Sequence, residues 1–140
     1  MRICLFILYI SNIIAQEPTR TLAVLDFEPR GINSLEAATL TDRFTSEIGK
    51  TEAMTLVDRT MVEEILKEQG FQQSGCTTDE CAVEVGALLG VQFMISGSIG
   101  KLGDTYTIDA KMVSVESGAS VETRNVTYIG KVDGLVTEIE

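Results

Sequence analysis

At Gly90 the spacing of apolar residues changes from helical recurrence to strict alternation, and that switch constrains the fold more than any other feature of the chain. Downstream of it, Val91, Phe93, Ile95 and Ile99 alternate with polar or small residues. After a turn at residues 102–104, Tyr106, Ile108, Ala110 and Met112 alternate against Thr105, Thr107, Asp109 and Lys111. A second turn at residues 116–118 opens another strand, whose apolar phase begins on Ala119 and Val121 and continues on Val126 and Tyr128. One residue must therefore be absorbed, and the phase change places a bulge or bend near residues 123–125. Three consecutive alternating segments joined by tight turns read as an antiparallel meander.

Upstream of Gly90 the pattern is strand, helix, strand, helix, helix. The continuous apolar run TLAVLDF at residues 21–27 suits a strand buried on both faces. Ala37, Leu40, Thr41, Phe44 and Ile48 fall on one side of an amphipathic helix over residues 34–50, begun at Asn33 or Ser34. Residues 54–57 make a short strand. Thr60 and Glu63 have capping-box spacing ahead of Val62, Ile65 and Leu66, and Gly70 ends that helix. A further helix runs through Ala82, Val85, Leu88 and Leu89 to Gly90. Strands linked through helices become parallel neighbours by right-handed crossovers. The expected fold is thus α/β, with a mixed sheet of about five strands covered by helices, a polar strand face or an edge left open, and a last helix over residues 132–139.

The N-terminus sets the compartment. Arg2, an apolar stretch over residues 3–10 and a small residue at Ala15 read as a secretory signal peptide, residues 1–15, cut before Gln16. The stretch is shorter than the roughly 20 residues of a spanning helix. Cys4 lies inside it without a lipid-attachment junction, so Cys76 and Cys81 are the cysteines expected to remain. Residues 16–140 are long enough for one core and too short for two ordinary domains.

Those two cysteines frame a second capping box. With Thr77 as N-cap and Glu80 three positions on, Cys76 and Cys81 occupy the positions that a hydrophobic staple joins, and in an exported protein that contact can be a disulfide. Free buried thiols are the alternative. Zinc would need further ligands, yet the chain has no histidine, and a thioredoxin-type centre needs C-x-x-C. No metal or small-molecule cofactor is expected.

Charge and composition exclude other functions. The chain carries a net −10, and removing Arg2 leaves 10 basic against 21 acidic residues, a net −11. With no Lys/Arg stripe to displace phosphate counterions, nucleic acid is not a partner; a basic protein surface is a better match. Without histidine the Ser-His-Asp and Cys-His mechanisms are absent. Asp26 and Asp58 end neighbouring strands where α/β sheets bind ligands, and with Glu28 they could hold a divalent cation. More often such acids cap turns or pair with an arginine, here Arg30 or Arg59. The sequence GSIGKL at residues 97–102 lacks the spacing and the strand-to-helix setting of a phosphate loop. Asn125-Val-Thr127 is a formal sequon in a strand and carries no inference.

The segments AVLDFEPRG, VDRTMVEEILKEQGFQQSGC and LLGVQFMISGSIGKLGDTYTIDAKMVSVESG resemble the periplasmic α/β domain of the curli-secretion channel subunit (CsgG) family, which is similar in fold to the lipoprotein activators of penicillin-binding proteins. The resemblance covers nearly all of residues 21–130. It implies a non-catalytic, periplasmic, protein-binding domain in envelope assembly or secretion, associated with the outer membrane through its partners. Pore-forming members have a lipidated N-terminal cysteine and two long membrane hairpins. Here Asp109, Lys111, Glu116, Glu122 and Arg124 suit a soluble sheet better, so the resemblance carries the soluble domain rather than the pore. A regulator docking on a peptidoglycan synthase is the alternative function, and a carboxylate- or metal-dependent hydrolase a distant one. Expected partners are envelope proteins, with a homo-oligomer as a further option.

Overall fold

The structure, a computed structural model, describes residues 19–71 and 76–139. The leader inferred from sequence lies outside the described residues.

The chain forms β1 (Thr21–Val24), β2 (Glu28–Arg30), α1 (Ser34–Lys50), β3 (Thr55–Leu56), α2 (Arg59–Glu68), α3 (Asp79–Leu89), β4 (Phe93–Leu102), β5 (Thr105–Ser114), β6 (Ser120–Ile129) and α4 (Val132–Glu138). The sheet runs β3-β1-β4-β5-β6, with β2 also pairing β4. The β3–β1, β1–β4 and β2–β4 pairs are parallel, and β4–β5–β6 is an antiparallel meander. The fold is therefore α/β with a mixed sheet.

Two apolar clusters fill the two sides. On one face Leu22, Val24, Ile95, Ile99, Tyr106 and Ile108 pack against Ala37 and Leu40 of α1 and Leu135 of α4. On the other, Ala23, Leu25, Met94 and Val113 pack against Val62 and Leu66 of α2 and Ala82 and Val85 of α3. Period-two alternation sends successive residues of one strand into opposite clusters, as Met94 and Ile95 show.

Several local details differ from the sequence expectation. The run at residues 21–27 is a strand only as far as Val24, and β2 begins at Glu28; between them the buried Phe27 gives its N–H to Thr41 Oγ1 of α1 at 3.1 Å instead of to a ladder. The first turn of α2 is capped by Asp58, whose side chain accepts from Thr60 N at 2.8 Å, so Thr60 lies inside the helix. The N-cap of α3 is Thr78, one residue later than expected, and its hydroxyl accepts from Cys81 N. The register shift of β6 falls at Val121, since Met112 faces Glu122 while Val113 faces Ser120; residues 123–125 are regular. Gly90 adopts φ +70° as the left-handed cap that separates α3 from the meander.

Candidate docking surface

Helices cover the sheet unevenly. On the α2–α3 side apolar packing ends at Met94 and Val113, and the next outward positions of β4 are Ser96, Ser98 and Gly100. Register places Lys111 beside Ser96, Asp109 beside Ser98 and Thr107 beside Gly100, with Thr123, Asn125 and Thr127 of β6 beyond them. β2 closes the near side, with Glu28 beside Ser98 and Arg30 beside Gly100. The result is a polar strip that lines a groove of 250 Å³, bordered at one end by Thr77 and Asp79 at the start of α3. A Cβ at Gly100 would lie 2.6 Å from Thr107 Oγ1, so a larger residue there would push the Thr107 side chain aside.

Charges along the strip are mostly matched. Lys111 Nζ donates to both carboxylate oxygens of Asp79 at 3.1 and 3.0 Å, tying β5 to α3. Arg30 donates twice to Glu28, at 3.1 and 2.8 Å. Asp109 has no ion-pair or hydrogen-bond partner among the described residues. Ser96 and Ser98 are 8% and 6% exposed, and their hydroxyls likewise have no partner among the described residues.

β6 is the long edge of the sheet, ten residues against two for β3 at the opposite edge. No strand among the described residues pairs with its outer side, so the outward N–H and C=O groups form a template for a further strand. Val121 and Ile129 are 50% and 75% exposed. On the α1 side, Phe44, Ile95, Ala110 and Met112 floor a small apolar cleft of 130 Å³, with Glu122 and Arg124 at its rim. The β5–β6 half of the molecule thus offers an open edge, with a polar face on one side of the sheet and an apolar cleft on the other.

The acids singled out in the sequence are engaged elsewhere. Asp58 caps α2, and the hydrogen bond from Thr60 holds its carboxyl below the usual aspartate range. Asp26 pairs with Arg59, which also reaches Asp42 and, at 3.1 Å, Glu63. Burial nonetheless raises the Asp26 carboxyl above its ordinary value, outweighing the arginine. Glu28 points into the polar groove rather than toward these two acids, and no group of three metal-ligating side chains occurs among the described residues. Residues 97–102 lie within extended β4, so no helix N-terminus follows them to receive a phosphate.

Cys76 and Cys81 are paired in the structure, with Cα atoms 5.4 Å apart. Because Thr78 is the cap, Cys81 is the third helical residue rather than the fourth. Cys76 is buried in the cluster beneath α2 and α3, so the pair anchors the start of α3 to that core.

Residues 7–123 match the family model of the peptidoglycan-synthase activator LpoB. The chain belongs to that family. The LpoB C-terminal domain from Salmonella enterica superposes with a TM-score of 0.66 at 16% identity, covering 82% of this chain and 87% of that one. The LpoB C-terminal domain from Escherichia coli gives a TM-score of 0.66 at 18% identity, covering 78% and 82%. Lipoprotein GNA1162 from Neisseria meningitidis gives 0.66 at 13% identity, covering 85% and 95%. At such identities these likenesses establish the fold. No curated protein matches the sequence. The activator side of the resemblance drawn from the sequence therefore stands, while nothing supports a curli-channel family or a secretion role. The family is one of non-catalytic activators, and this chain is accordingly not an enzyme.

An open polar strand face was expected from the sequence, but not its extension over Ser96 and Ser98 of β4 to Glu28 and Arg30 of β2. The signal of the face was present in the alternation of Thr107, Asp109 and Lys111, but which helices would leave that face open depends on tertiary packing.

Proposed function

We propose that this protein is an envelope activator that docks on a peptidoglycan synthase and raises its activity without performing chemistry itself. The observation that carries this reading is the match to the activator family over residues 7–123. The open β5–β6 half supports it, since a ten-residue unpaired edge flanked by a polar face and an apolar cleft suits protein recognition by strand addition or face packing. The net −10 charge favours a basic partner surface and speeds encounter with it.

Export follows from the same reading. We place the chain in the periplasm after removal of residues 1–15, as one domain from Gln16, held near the outer membrane through its partners.

Glycan polymerisation by a peptidoglycan synthase from the same cell tests the function. A rise in rate on adding this protein, with direct binding of the two, supports it. An unchanged rate and no binding would contradict it. Light scattering of the free protein separates a docking monomer from the homo-oligomer that the sequence left open.

A further inference from the structure

We propose that the polar strip is a receptor for a basic side chain of the protein partner, a guanidinium best of all, with Asp109 as its counter-ion and the Ser96 and Ser98 hydroxyls as further acceptors. The inference rests on the docking reading above and deepens it by naming the chemistry that the partner presents.

Of the carboxylates that line the groove, Glu28 is held by Arg30 and Asp79 by Lys111. Only Asp109 lacks a cation, which leaves the groove one negative charge in excess on an already acidic chain. An anionic ligand would meet cations already shared with carboxylates in a groove of net negative charge, whereas a cation meets an unpaired carboxylate.

Ser98 is the second observation. It is directly opposite Asp109 in the antiparallel register, so the two side chains are cross-strand neighbours about 5 Å apart on one face. As a residue it is more than nine-tenths buried, it lines the groove and its hydroxyl has no partner among the described residues; Ser96, two residues away on the same face, is in the same state. With the rest of each serine packed into the sheet, the hydroxyls are the parts that open onto the groove, where a ligand can bond them. A guanidinium presents five N–H donors in one plane and can meet a carboxylate and a hydroxyl at once, which a single ammonium does less well. A sugar ring fits worse, because no aromatic side chain lines the groove for its apolar face to stack on.

Titration of the 15N-labelled protein with a blocked Gly-Arg-Gly peptide, and with its neutral citrulline counterpart, tests the proposal. Amide shifts confined to residues 96–100, 107–111 and 123–127 are expected with the arginine peptide. Affinity should be about three- to fivefold lower for the citrulline peptide and for Asp109→Asn, the scale of an exposed ion pair. Equal shifts with both peptides, shifts centred on α2 and α3, or unchanged affinity in Asp109→Asn would overturn it. So would a muropeptide that perturbs these residues where the arginine peptide does not. Asp109 is exposed, so both Asp109→Asn and Asp109→Lys should fold, which near-ultraviolet circular dichroism checks. A seated arginine peptide with no synthase binding supports the receptor and sinks the docking reading. Full synthase binding by Asp109→Lys, with no peptide shifts in the parent, sinks the receptor alone.

Discussion

The Phe27 N–H donates to Thr41 Oγ1 across 3.1 Å, and the same hydroxyl donates to Ala37 O at 2.8 Å. This pair bends the chain between β1 and β2 and fastens the bend to the buried face of α1. Thr41 is 1% exposed, so water cannot replace it. Thr41→Val keeps the shape but strands the Phe27 N–H, and should cost about 1–3 kcal/mol. Urea unfolding with an unchanged m-value measures the loss.

The Cys76–Cys81 pair closes a short loop, with a sequence separation of five. For so short a loop the chain-entropy treatment gives about 2 kcal/mol. We propose that the bond forms in the exported protein. Replacing both cysteines with Ala should then lower the melting temperature by several degrees while the fold survives. Reaction of the native oxidised protein with two equivalents of a thiol reagent would show free thiols instead.

Asp26 gives a pH dependence of defined sign. Burial raises its folded-state carboxyl above the ordinary 3.8, so between 3.8 and the folded value the native state binds more proton than the unfolded chain. The stability this contributes is full below 3.8 and is lost as pH rises through the folded value. Wild type should therefore lose stability relative to Asp26→Asn as pH rises across that window. Denaturant unfolding of both proteins at several pH values checks this, and a difference that widens in favour of wild type with rising pH would refute it.

Most of the architecture was legible in the sequence because the apolar period carries it. Alternation after Gly90 gave the meander, and the spacing of Ala37, Leu40 and Phe44 gave α1. Misplaced details share a physical origin in competition for hydrogen bonds between side chains and backbone. Thr41 takes a ladder donor from Phe27, Asp58 outcompetes Thr60 as a cap, and Thr78 does the same to Thr77. The bulge at Val121 was displaced from its expected place because periodicity detects a phase change without locating it. Individual polar residues of the docking surface were visible, but its openness arises from where α2 and α3 stop, which no local pattern encodes.

Hydrogen–deuterium exchange of the protein with and without a peptidoglycan synthase ectodomain tests docking through the open half most directly. The edge amides of β6 and the polar face of β4 and β5 are the contact in this account. Protection should therefore appear over residues 96–111 and 120–129, while α2 and α3 exchange as in the free protein. Protection confined to α2 and α3, or no protection anywhere at saturating synthase, would contradict it.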